Sequence, residues 1–295
     1  MDRDDPFKGC WDRLARAERH RDEAIEAWNA FLGGDEDAYE LGLDMDQERE
    51  GVGRGTLRVW LGREMPSDIP ILIGEVFYNL RAALDAAIYA TAVIDNGWTD
   101  PPPNANVLQF PICDTPEQFR TNAFRIAPLT DRHQRWVEQV QPYAGGEDPK
   151  LRGIYWLNHL SRLDRHRGLR VVGGYISEAN IAVSAKSGSV VTFDPRPEKV
   201  FVNGSDSTVI ASFTVAPWER GDEVDANPNA ALDIEIEDFA SGRPADAKWL
   251  YSTLKLRLFL IATVIDTEVG RFEFDTTRST RSKYLAKDWP GFFEK

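Results

Sequence analysis

The sequence predicts an α+β protein that is mainly α: a helical bundle carrying an antiparallel β-unit inserted before the last long helix. Three observations point there. Apolar residues recur at helical spacing in four long stretches, near 10–32, 68–95, 151–167 and 245–270. Between the third and fourth, the pattern changes to short runs rich in Val, Ile, Thr and Phe, broken by Gly, Asn, Asp, Ser and Pro, the mark of strands and turns. The last helix is so apolar that it needs partners on most of its surface, and packing back on the early helices supplies them. The expected organisation is a bundle over 1–168, a β-unit over 169–240, and a returning helix with a tail over 241–295.

Each element has a local reason. "WDRLARAERHRDEAIEAWNAFL" places Trp11, Leu14, Ala17, Ala24, Trp28 and Phe31 at helical spacing, and Gly33-Gly34 supplies the stop. The acidic, glycine-dotted stretch 39–55 reads as a loop, followed by one strand in "GTLRVWLG". The strongest helix comes next. Ser67 or Asp68 can cap it, and Pro70 lies in the first turn, where its missing N–H costs little. Ile69, Leu72, Ile73, Val76, Phe77, Leu80, Leu84, Ala87 and Ile88 make one wide apolar stripe along it. Two shorter helices are expected in "TPEQFRTNAF" and "TDRHQRWVEQVQPY" before "PKLRGIYWLNHLSRLDRHRGL" supplies another long one. In "ALDIEIEDF", Leu232, Ile234 and Ile236 alternate with Asp233, Glu235 and Glu237, the pattern of a strand with one wet face.

Composition excludes several function classes. A net charge of -13 opposes a phosphate backbone, although Arg152, Arg162, Arg165 and Arg170 crowd together and keep RNA open as a partner. A second basic run holds Arg278, Arg281, Lys283 and Lys287. No apolar run reaches the roughly 20 residues of a membrane span, so no membrane association is expected. The charged first thirty residues lack the apolar block of a secretory signal, which points to the cytoplasm. Cys10 and Cys113 lie far apart, and His20, His133, His159 and His166 are scattered, so no metal is expected. Phosphate-loop, dinucleotide, nucleophile-elbow and zinc-protease motifs are absent, and no cofactor is expected.

One polar constellation needs explaining. In "LNHLSRLDRHRGLRVV" a helix that buries leucines ends in charges. At about 100° per residue, Asp164 and Arg167 fall in the arc of Trp156, Leu157, Leu160 and Leu163, whereas Tyr155, His159 and His166 share a flank. Charges inside a core need partners. Arg81 and Asp85, four apart on the edge of the earlier apolar stripe with Asn79 on its other edge, are the candidates. The expected seam pairs Asp164 with Arg81 and Arg167 with Asp85. It either fixes helix register, or belongs to a cleft in which Arg81, Asp85, His159, Asp164 and His166 carry binding or catalysis.

"GEVFYNLRAALDAAIYA", "FPI", "VQPY" and "LNHLSRLDRHRGL" resemble, in this order, a group of bacterial proteins without an assigned activity. The match spans about residues 66–170 and implies a shared helical core. A fainter similarity is to HEPN-type helical domains, whose ribonuclease members use an arginine and a histidine spaced four to six residues apart on one helix, usually in a dimer. Arg81 matches the arginine, and Ala86 stands at the histidine position. Arg152 with His159 and Arg13 with His20 show similar spacings only at the chance rate. With the N-terminal reading, the first expectation is a cytoplasmic, HEPN-like protein, a homodimer as the resemblance implies, acting through binding or self-association in a nucleic-acid-linked or defence process, without its own nuclease activity. The alternatives are a metal-independent ribonuclease using Arg81, Asp85 and His159 or His166, and a β-unit that binds a small molecule or a protein.

Overall fold

A computed structural model describes residues 5–34, 38–145, 148–169, 171–175, 180–195, 200–202, 206–229, 234–236 and 254–277. Its described elements mix α-helices with antiparallel β-sheet. The helices are α1 (Lys8–Leu32), α2 (Asp68–Asn96), α3 (Pro116–Asn122), α4 (Asp131–Gln139), α5 (Gly153–Arg167) and α6 (Leu254–Thr277). The expected start of the last helix near 245, Arg170 and the basic run from Arg278 lie outside the described residues.

The chain divides into two compact units. The first comprises Met1–His20, Gly74–His166 and Leu258–Lys295, and the second Arg21–Ile73 and Arg167–Arg257. In the first, α2 buries Val76, Phe77, Leu80, Leu84, Ala87 and Ile88, which is the expected stripe. Helix α5 buries Trp156, Leu157 and Leu160, and α6 buries Ile261, Ile265 and Val269. Between α2 and α3, the segment containing Phe110 is held by Gln141. Its Oε1 accepts from Cys113 N–H (2.8 Å) and its Nε2 donates to the Pro111 carbonyl (2.9 Å). That double bond fixes a backbone edge which the functional site uses.

The second unit carries most of the sheet. Strands β1 (Tyr39–Arg49) and β2 (Val52–Leu61) form a hairpin turning at Gly51. After β3 (Val171–Tyr175) and β4 (Asn180–Ser184) come β5 (Val190–Phe193), β6 (Phe201–Val202), β7 (Thr208–Ala216), β8 (Asp225–Asn229) and β9 (Ile234–Ile236). The sheets have orders β1-β2-β7-β5, β6-β3-β9 and β4-β8, with every described pairing antiparallel.

The loop expected over 39–55 is therefore corrected to a strand and most of a hairpin, and the β-unit draws on chain from before residue 168. Of the glycines that suggested a loop, Gly51 makes the hairpin turn, and Gly42, Gly53 and Gly55 are strand glycines facing large rings. A Cβ at Gly53 would lie 2.5 Å from the Trp218 ring, and one at Gly55 would overlap Phe213. Phe213, Val215 and Trp218 form a core on which Leu43, Met45 and Val191 pack. The wet face expected at Glu235 is also corrected: β9 is buried throughout, with Glu235 2% exposed. Asp233 and Glu237 lie outside the described residues.

Candidate functional site: an arginine-lined cleft

Within the first unit, α2 and α5 line a cleft of about 850 Å³. The wall from α2 is a single helical stripe, Tyr78, Arg81, Ala82, Asp85, Ala86 and Tyr89, at the i, i+3, i+4, i+7 spacing that puts residues on one face. The wall from α5 is Asn158, Ser161, Arg162, Asp164 and Arg165. Pro6, Gly9 and Arg13 come from the chain entering α1 and its first turns, Leu108 and Gln109 from the connection between α2 and α3, and Arg125 from the turn after α3. Five arginines thus face two aspartates.

Arg81 and Asp85 make the fixed part of the cleft. They pair with each other (3.1 Å), and both grip one residue: Arg81 Nη2 donates to the Phe110 carbonyl (2.6 Å), and Asp85 Oδ1 accepts from the Phe110 N–H (2.9 Å). Burial drives the Arg81 pKa down, an effect opposed by Asp85 and reinforced by Arg125 and Arg165. Burial likewise drives the Asp85 carboxyl up, opposed by Arg81 and the Phe110 N–H. The guanidinium nonetheless stays charged, because no accessible pH deprotonates arginine. Its Nη1 is buried without a hydrogen-bond partner, as is Nε of Arg125, whose Nη1 donates to Gln109. A buried donor left without an acceptor costs about 1–3 kcal/mol, more when it carries charge.

The other cations are more open. Arg165 donates from Nε to the Ser161 carbonyl (3.1 Å). Arg13 and Arg162 make no hydrogen bond or ion pair among the described residues. Guanidinium groups are planar forks that take phosphate or carboxylate oxygens two at a time.

The expected seam is corrected in its pairing. Arg81 takes Asp85 rather than Asp164, because the i, i+4 spacing already brings the two together. Arg167 is exposed on the last turn of α5, not inward. Asn79 turns back on its own helix, donating to the Glu75 carbonyl (2.8 Å). Asp164 does face the cleft, as do Arg162 and Arg165 of the expected arginine patch, whereas Arg152 does not line it. Neither histidine candidate lines it either. His159 lies parallel to Tyr155 (centroids 5.9 Å apart) with its edge to Trp156, and His166 is exposed. Arg13, Arg125 and the two tyrosines were missed. The tyrosines share the helical period of Arg81 and could have been found from it. Arg125 sits in a short 3-10 turn whose position only tertiary packing decides.

A second polar cluster occupies the far end of α2. His133 Nδ1 lies 2.8 Å from Asp95 Oδ2 and 3.0 Å from Thr130 Oγ1, and the same Asp95 oxygen accepts from Thr130 N–H (2.8 Å). The His133 and Asp95 side chains are 4% and 7% exposed, and Trp136 and Phe272 flank the imidazole. Hydroxyl and carboxylate meet the same ring nitrogen. Asp95 and Thr130 thereby tie the end of α2 to the start of α4, a structural knot packed against Trp136 and Phe272.

No family model matches the chain, and no curated protein or solved structure matches it. Among the described residues, no helix is long and apolar enough to cross a membrane, and no group of three His, Cys, Asp or Glu could hold a metal ion.

Proposed function

We propose that this chain is a HEPN-like binding protein that docks a phosphate-bearing ligand, single-stranded RNA first, on the arginine cleft without cutting it. In the same reading it works in the cytoplasm, as a homodimer, in a nucleic-acid-linked or defence process. One observation carries the reading: arginines crowd the cleft while no histidine lines it among the described residues, and Ala86, at the resembling domains' histidine position, forms part of its wall. Metal-independent RNA cleavage needs a base for the attacking hydroxyl as well as cations for the developing charge. The cleft supplies the cations in excess. Of the two carboxylates that line the cleft, Asp85, tied to Arg81 and the Phe110 N–H, is committed to holding Arg81, and Asp164 is read as a binding group, so RNA cleavage lost in Asp164→Ala would overturn the non-catalytic reading as well.

The acidic chain and the basic cleft are compatible. Beyond a Debye length of about 8 Å at physiological salt, distant carboxylates are largely screened, so a ligand inside the cleft feels the nearby guanidiniums. A binding module on the β-unit has less support, since the small hollow there is lined by Asp222, Glu223 and Asp225 against Lys186 alone.

The test is incubation of the purified protein with labelled single-stranded RNA and transfer RNA in EDTA, read both as a mobility shift and as cleavage. The expected result is a salt-sensitive shift with intact RNA. Cleavage that disappears in Arg81→Ala would overturn the non-catalytic reading, and the lack of any shift at low salt would overturn docking.

A further inference from the structure

Anion binding accounts for every charged group of the cleft except Asp164. Its carboxyl lies against the backbone of α2 at Gly74, where a Cβ would come 2.5 Å from Oδ1 and 2.7 Å from Cγ and Oδ2. Glycine at 74 is what admits it. Arg162 and Arg165 stand on the same helix, yet Asp164 makes no hydrogen bond or ion pair among the described residues. Burial and the neighbouring Glu75 hold its carboxyl above the usual range, and neither cause is a cation. A purely structural aspartate would be paired. One that faced only bare oxyanions would repel them.

What a carboxylate can offer a ligand is an acceptor. Arg162, Arg165 and Asp164 line one cleft, with Asp164 on its α2 side at Gly74, so a ligand whose phosphate is held by the guanidiniums can set a neighbouring group against Asp164. In a ribose 3′-phosphate, the carbon beside the one that bears the phosphate ester carries a hydroxyl, a donor that deoxyribose lacks and the group by which proteins distinguish RNA from DNA. We infer that Asp164 is the specificity-determining residue of the cleft, accepting a hydrogen bond from the sugar hydroxyl beside the bound phosphate and so selecting ribose phosphates over deoxyribose phosphates and bare oxyanions. This rests on the cleft being the phosphate site.

Calorimetric titration with adenosine 3′-monophosphate, its 2′-deoxy analogue and inorganic pyrophosphate tests it. Wild type should prefer the ribonucleotide over the deoxynucleotide at least tenfold, the scale of a hydrogen bond to a charged group. Asp164→Ala should bring the two within about twofold and tighten pyrophosphate several-fold. Asp164→Asn, which keeps an acceptor oxygen, should retain most of the preference. Gly74→Ala leaves the carboxylate chemically intact but displaces it, on a helix that favours alanine, and should lose the preference. An unchanged preference in a folded Asp164→Ala protein would overturn the assignment alone. Binding of none of the three probes by wild type would overturn the cleft reading and the assignment with it.

Discussion

Helix α2 carries two polar clusters, and they differ in what is left over. At its C-terminal end, Asp95 takes the Thr130 N–H and His133 Nδ1, and Trp136 and Phe272 flank the imidazole. In the cleft, Arg81 and Asp85 also satisfy each other and a backbone residue, but the buried Arg81 Nη1 and Arg125 Nε lack acceptors, and the exposed Arg13 and Arg162 line the open volume without a hydrogen bond or ion pair among the described residues. Burial and charge are common to both. Unpaired cations lining an open cleft are what separate a site from a structural knot.

Breaking the knot should have the largest effect. Asp95→Ala leaves the Thr130 N–H without its acceptor and takes the carboxylate from the buried imidazole, which costs roughly 3 kcal/mol. Melting should fall by about 6–12 °C, with RNA affinity of the folded protein unchanged at low temperature. If affinity fell in parallel, the two clusters would not be independent.

Arg81→Ala should lower the melting temperature too, because it leaves the buried Asp85 carboxyl unpaired, and unlike Asp95→Ala it should also weaken RNA binding by the folded protein. RNA binding is expected to weaken about 30-fold, the scale of a charge-assisted contact, as read by a mobility-shift titration at fixed salt. Arg81→Lys should recover only part of it, because an ammonium cannot replace the fork. Arg162→Gln, on the open side, should cost a few-fold and lower the salt slope by about one, the signature of a single phosphate contact.

The smallest effect sharpens the comparison by its sign. Because burial and Glu75 raise the Asp164 pKa, the folded protein holds that proton more tightly than the unfolded chain. Stability is thus lost as pH rises from the unfolded value, about 3.9, through the folded one. Asp164→Asn should raise the melting temperature at pH 7 by about 2 °C, with the gain vanishing near pH 3. A fall at pH 7 would mean that the carboxylate has a structural partner.

How much of this the sequence could reveal depended on range. The stripe of α2 and the leucine face of α5 were legible, because helical period is a local property. The hairpin was legible only in part: Leu41, Leu43 and Met45 alternate with Gly42, Asp44 and Asp46, a strand period masked by the glycines, and Gly53 and Gly55 make room for Trp218 and Phe213, more than 150 positions later. At the site, the spacing of Arg81 and Asp85 was readable, but their third partner was a peptide group of Phe110, and backbone partners leave no residue signature. The histidines misled because HEPN-type chemistry calls for one, whereas this helix presents Ala86 to the cleft.

The most direct measurement is a titration of a short 5′-phosphorylated single-stranded RNA into wild type, Arg81→Ala and Asp95→Ala, at two salt concentrations and a temperature where all three are folded. The expected result is salt-dependent binding by wild type and Asp95→Ala, with Arg81→Ala about 30-fold weaker. Equal affinity in wild type and Arg81→Ala would contradict the account and leave the cleft, like the His133 knot, a structural feature.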